Sequence, residues 1–265
     1  MTYLYALSQR QPALRSLAAA DAAACHPLAG EIQVLPAGPF FALTSPVAES
    51  DFVGEAAEEQ LRDLEWLAPR ALRHEAIVRA AHEETDVIPA RFATVFSSPE
   101  ALTAWVAAQE QALAQAFARL HGAEEWGVRL VGAPEGETES LSAPAEPPAA
   151  ATGRSYLAAV RQRREHAAQR AACARQLVGS FAQRVQPLIR EWAFRRPFVF
   201  ACLLARENRQ IFAMAAEEFS RPEMGLRFEL SGPWPPYSFV RDLPKGHRAA
   251  SFEARATPRE AGPGG

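Results

Sequence analysis

Apolar positions in the first 45 residues recur in short runs that predict strands rather than helices. Tyr3 to Leu7 predicts a strand at the chain start. Ile32 to Leu35 and Phe40 to Leu43 predict two more, joined as a hairpin across Pro36-Ala37-Gly38-Pro39. From Asp51, read as an N-cap, Phe52, Leu61, Leu64 and Leu67 recur at helical spacing. Pro69 is expected to interrupt that helix, and a second one carries Leu72, Ile77 and Val78 toward Thr85. Val87 to Phe96 reads as β-rich despite Pro89. Ser98-Pro99-Glu100 then starts a long helix with proline at its first position, with Leu102, Val106, Leu113 and Leu120 on its apolar side. His121-Gly122 ends it, and Trp126 to Val131 reads as the strand that closes the first half.

Residues 133–153 are rich in Pro, Gly, Ala, Glu and Ser and poor in large apolar side chains, which predicts a flexible linker between domains over 1–132 and 154–243. Ser155 to Trp192 reads as mostly helical, broken or kinked at Pro187, with an arginine-laden face (Arg161, Arg163, Arg164, Arg170, Arg175). Phe198 to Leu204 is apolar on both faces and predicts a central strand. Asn208 to Phe219 predicts a helix that buries Ile211, Phe212, Met214, Ala215 and Phe219. Leu226 to Leu230 alternates and leads into LSGPWPPYSF, residues 230–239. Pro233, Pro235 and Pro236 fix φ and withhold donors, so this stretch is neither helix nor interior strand. It reads as a stiff, folded-back turn that carries Trp234, Tyr237 and Phe239. Residues 244–265 are expected to be a disordered tail. The fold class is α+β: two domains with largely antiparallel sheets, of ferredoxin-like character.

Composition adds limits. Hydrophobic residues make up 48% and charged residues 22%, which suits a globular chain. The longest apolar run, Phe198 to Ala205, falls far short of the roughly 20 residues of a spanning helix. The opening MTYLYALSQR has no basic stretch ahead of an apolar one, so no secretory leader is expected. Cys25, Cys173 and Cys202 are widely spaced and suit a reducing compartment without a zinc site. The net charge of −3 hides an asymmetry: residues 1–150 hold 9 basic against 21 acidic side chains, residues 151–265 hold 19 against 10. That pattern suits attraction between halves or between molecules, so self-association is a candidate property.

Candidate chemistry is sparse. His74 and His82 share a predicted helix but lie two turns apart, too far to share a metal unaided, and read as exposed or capping residues. No GxSxG, GxGxxG, P-loop or HExxH pattern occurs. No catalytic, cofactor or metal residues are therefore assigned, and no enzyme is expected. Cys173 lies on the basic helix without a partner base and reads as a small core residue. The arginine-rich helix keeps open an alternative, a nucleic-acid-binding regulator, although no helix-turn-helix, RNP or KH pattern accompanies it. A small-molecule-binding ferredoxin-like protein is the other alternative.

Two segments go further: DVIPARFATVFSSPEAL, residues 86–102, following the helix with RHEAIV, and LRFELSGPWPPYSFV, residues 226–240. With the opening TYLYAL and the EWGVRL strand, they resemble the GvpL/GvpF family of gas vesicle proteins over nearly the whole chain. The resemblance implies two α+β domains, the second a modified ferredoxin-like fold. It also implies a cytoplasmic, gas-vesicle-associated, non-enzymatic accessory or minor structural protein. Its partners would be the apolar shell protein and other accessory proteins, with no nucleic acid and no cofactor. The family-motif residues are Pro89, Arg91, Phe92, Gly232, Pro233, Trp234, Pro235, Pro236, Tyr237 and Phe239. Trp234, Tyr237 and Phe239 are either anchors for a partner or rings that pin the turn to the core of the second domain. Phe92 reads as core, and Arg91 as a ligand for a carboxylate. Ala93 stands where the family pattern has glycine, which implies that this position need not adopt positive φ or tolerates some crowding.

Overall fold

The computed structural model describes residues 1–23, 30–133, 153–196, 198–221 and 225–241. The expected linker (apart from its two ends) and the expected tail lie outside these residues, as does Cys25. The chain divides into two units, one of residues 1–121 with the segment that begins at Pro235, the other of residues 122–234.

The first unit is built on an antiparallel sheet. β1 (Thr2–Ser8) lies between β3 (Phe40–Pro46) on one side and β4 (Val87–Pro89) with β5 (Val95–Phe96) on the other, and β2 (Gln33–Ala37) pairs with β3. All seven residues of β1 are buried, as a strand covered on both faces requires. The predicted hairpin forms with Ala37 opposite Phe40, turning at Gly38, whose φ of 61° suits a residue without a Cβ.

The helices depart from expectation in three places. α1 (Leu14–Ala23) escapes the pattern because half of it is alanine and it buries a single large side chain, Leu17. Asp51 closes a 3-10 turn and caps no α-helix. After the short α2 (Glu55–Gln60), Asp63 caps the main helix α3 (Leu64–Glu84), its carboxylate accepting from the Glu65 N–H at 2.9 Å. Pro69 lies inside α3 and does not end it. Near the helix start it withdraws one donor, while burial of Ile77, Val78 and Ala81 holds the helix further along. Ser98 caps α4 (Pro99–Ala108) with proline at its first turn, as predicted. The expected single helix breaks at Gln109 into α4 and α5 (Glu110–Leu120).

In the second unit β6 (Ala123–Val131), α6 (Gly153–Val185), β7 (Ile189–Arg196), β8 (Val199–Ala205), α7 (Arg209–Phe219) and β9 (Arg227–Trp234) succeed one another. The antiparallel sheet has the order β7-β8-β6-β9, the β-α-β-β-α-β pattern of a ferredoxin-like unit. β8 is interior, as its apolar faces predicted. β6 was expected to close the first half, yet it pairs with β8 and β9. The change of unit therefore precedes the composition shift at 133. β7 falls where a helix was expected to run on to Trp192; Pro187 ends the helix, and the chain turns straight into an edge strand. On α7, Phe212 and Ala215 are buried as predicted, but Ile211 and Met214 are exposed. Phe181 of α6 is central to the core and stacks on Phe228 with ring centroids 4.5 Å apart.

LSGPWPPYSF is not one turn. Leu230–Trp234 is the end of β9, an edge strand, where Pro233 leaves no ladder donor missing inside the sheet. Tyr237–Phe239 is a 3-10 turn, and it belongs to the first unit.

Candidate functional site

The first-unit parts of the two motifs meet over a buried tyrosine–histidine pair. β1 presents Tyr3, α3 presents His74, and both are buried. The Ala93 N–H donates to the Tyr3 hydroxyl oxygen at 3.2 Å. His74 Nε2 lies 3.2 Å from the Ala90 carbonyl, which only accepts, so this nitrogen carries the proton. Nδ1 is then the acceptor, and the Tyr3 O–H donates to it at 2.9 Å. The chain of bonds closes on the 90–93 backbone and leaves neither ring nitrogen of His74 open.

Electrostatics agree with a neutral ring. Burial lowers the His74 pKa to about 4, with the Ala90 carbonyl pulling the other way, so the ring is neutral at neutral pH. Burial pushes the Tyr3 phenol well above its usual range, against the Ala93 N–H. Tyr5 is raised likewise, against its bond with Ser45. Beside this cluster, Arg73 is buried and makes a two-point ion pair with Asp21 of α1.

Rings close the cluster. Phe92 meets Tyr3 and His74 edge-on, with centroids at 6.3 and 6.0 Å, and Tyr237 lies 6.4 Å from His74. Tyr237 thus packs on the core of the first unit, not on the second as expected, because the chain leaves β9 at Trp234. Pro89, Pro235, Pro236 and Phe239 are buried, while Phe92, Gly232, Pro233 and Trp234 are half-buried. The Phe239 carbonyl accepts from Arg119, and Arg91 donates to the Arg241 carbonyl at 3.4 Å, a backbone partner in place of the expected carboxylate. Ala93 has φ of 64°, so the position does take the left-handed conformation despite its alanine.

His74 and His82 are both buried, contrary to the exposed or capping role expected. The signal was present: His74 precedes Ile77, Val78 and Ala81 on one helical face. Among the described residues no group of His, Cys, Asp or Glu could hold a metal ion. Cys173 packs against the second core, and burial, with Glu125 nearby, raises the Cys202 thiol.

Each unit has one further feature. A groove of about 660 Å³ runs between α1 and α3 past Ala19, Leu72, Ala76 and Ala80, with Leu72 exposed. In the second unit Glu124 is buried under a fork from Arg209 at 2.9 and 2.6 Å and accepts from the Trp126 indole at 2.7 Å. Pattern reading passed over Glu124 because a carboxylate in a strand reads as solvent-facing.

The family model described as gas vesicle synthesis protein GvpL/GvpF matches residues 1–241. Gas vesicle protein L of Streptomyces sp. (strain CB03234) is 30% identical over 233 residues, covering 81% of this chain and 85% of that protein. The crystal structure of gas vesicle protein GvpF from Anabaena sp. PCC7120 superposes with a TM-score of 0.60 at 17% identity, covering 93% of this chain and 98% of that one. That of GvpF from Microcystis aeruginosa gives 0.57 at 17% identity, covering 91% and 98%. These two likenesses concern the fold.

Proposed function

This chain belongs to the gas vesicle synthesis protein GvpL/GvpF family, and from that premise we propose that it is a non-enzymatic accessory or minor structural protein of gas vesicle assembly that binds the apolar shell protein in the cytoplasm. Membership gives it a gas-vesicle-related role. The observation that supports a non-catalytic part in it is the use made of Tyr3 and His74. Both are spent on a closed set of structural hydrogen bonds, and His74 is held neutral.

A shell subunit with a large apolar surface aggregates unless that surface is covered before assembly. Exposed Leu14 and Leu64, with Leu72 in the groove wall, are apolar area on α1 and α3 of the kind such a task uses. Half-buried Trp234 is the motif ring best suited to anchor a partner, since Phe239 is buried and Tyr237 packs on the core.

Co-expression with the shell protein followed by pull-down tests the proposal: the full chain retains the shell protein. Trp234→Ala that keeps its melting temperature but loses retention marks an anchor; a lowered melting temperature marks a structural pin. No retention by the full chain, with normal vesicles in a deletion strain, overturns the proposal.

A further inference from the structure

Helix α6 is charged far beyond what its packing uses. Gly153–Val185 holds seven arginines and one glutamate. Among the described side chains burial begins at Ala174 and continues through Leu177, Phe181 and Val185, and from Ala158 to Cys173 none is buried. That stretch is about 24 Å of helix at 1.5 Å per residue. Arg161 pairs with Glu165 at 2.9 Å, whereas Arg163, Arg164, Arg170 and Arg175 make no ion pair among the described residues. Val160, Ala167 and Ala171 prolong the apolar face that Ala174 and Leu177 bury lower down. A helix so charged, with a small-residue seam left at most half-buried among the described residues, is a surface suited to an acidic partner with apolar side chains of its own.

The same chain carries the complement. Residues 49–65, ESDFVGEAAEEQLRDLE, hold seven carboxylates and one arginine, a net charge of −6 that is opposite in sign to the +4 of residues 153–173 of α6, which hold five arginines and one glutamate. Glu49, Glu59, Asp63 and Glu65 are exposed, and the stretch also exposes Val53 and Leu64, the latter at 74%. Acidic side chains around exposed apolar ones mirror arginines around an apolar seam. We propose that the N-terminal part of α6 docks on the 49–65 surface of a second copy of this chain. The two surfaces differ, so the contact is head-to-tail; it closes as a reciprocal dimer or ring, or continues as an open chain. Charge sets the encounter rate and the register, and the seam against Leu64 supplies contact.

Sedimentation velocity on the full chain, over a range of concentration and NaCl, tests this. The mass rises with concentration at low salt, and raising NaCl to about 0.5 M, where the screening length falls to a few ångströms, weakens the association at least about tenfold. The triple variants R163E/R164E/R170E and E49K/E59K/E65K each lose self-association at least about tenfold. Mixed together they regain it, because each offers the charge that the other lacks. Circular dichroism melts show that both are folded; if either is not, R164E alone with the salt series of the parent decides. A monomer at every concentration overturns the proposal. So does association indifferent to both reversals, association abolished by nuclease, or reversals that lower the melting temperature of a monomer without changing its mass.

Discussion

The Tyr3 hydroxyl donates to Nδ1 of His74 across 2.9 Å and 71 positions of sequence. Through the Ala93 N–H and the Ala90 carbonyl, that bond ties the first signature segment to β1 and α3 at once. Tyr3→Phe keeps the ring contacts but leaves the Ala93 N–H and His74 Nδ1 without this partner in a buried site. The expected loss is about 2–4 kcal/mol, from two groups at roughly 1–3 kcal/mol each with partial relaxation. Urea unfolding, with unchanged m-value, measures it.

Acid should weaken the fold through His74. Its folded pKa of about 4 lies below the ordinary 6.5, so the unfolded chain binds the extra proton first. The contribution of the neutral ring is fully present above pH 6.5 and is progressively lost as pH falls toward 4. It amounts to about 3 kcal/mol at roughly 1.4 kcal/mol per pKa unit. His74→Gln, which does not titrate, should show a flatter stability profile than the parent between pH 6.5 and 4. Parallel profiles would rule out the assigned buried, neutral imidazole.

Ala93 carries a left-handed backbone on a residue that disfavours it by roughly 1–2 kcal/mol. Ala93→Gly relieves that and gives up one buried methyl, worth about 0.8 kcal/mol. The glycine variant should therefore be at least as stable as the parent, by up to about 1 kcal/mol. Ala93→Val places a β-branched side chain at positive φ in a buried site and should cost at least about 2 kcal/mol. Thermal melts of the pair supply the comparison.

At Gly232, φ is 140° and an added Cβ would lie 2.9 Å from the Glu125 carbonyl oxygen and 3.2 Å from the Trp126 ring. Gly232→Ala should loosen β9 from β6 at a cost of about 1–3 kcal/mol. Hydrogen exchange of the β9 amides should quicken while that of β1 stays as it was.

Removing the fork over Glu124 leaves a buried carboxylate with the Trp126 indole as its remaining donor among the described residues. Arg209→Ala should destabilise the second unit by about 2 kcal/mol or more, and adding Glu124→Gln should recover part of that loss. A double-mutant cycle by urea unfolding tests the recovery.

Much of this protein was legible where local chemistry decides. β1, the β2–β3 hairpin, the Ser98-Pro99 helix start, the interior strand β8 and helix α7 follow from alternation, proline placement and apolar runs. The order of DVIPARFATVF before LSGPWPPYSF sufficed to point to the family. What pattern could not show is which strand pairs with which. β6 has the same alternation whichever sheet receives it, and only long-range hydrogen bonding assigns it to β8 and β9. α1 stayed hidden because alanines carry no periodic signal, and β7 because an arginine-rich strand beside an arginine-rich helix looks like its continuation. His74 reads as polar in one dimension and becomes the centre of a clamp only when Tyr3, Ala90 and Ala93 are folded around it. Residue types alone make 230–239 stiff, since proline dihedrals are local. Its division between an edge strand of one unit and a buried turn of the other comes from folding, because burial and pairing depend on residues far away in the chain.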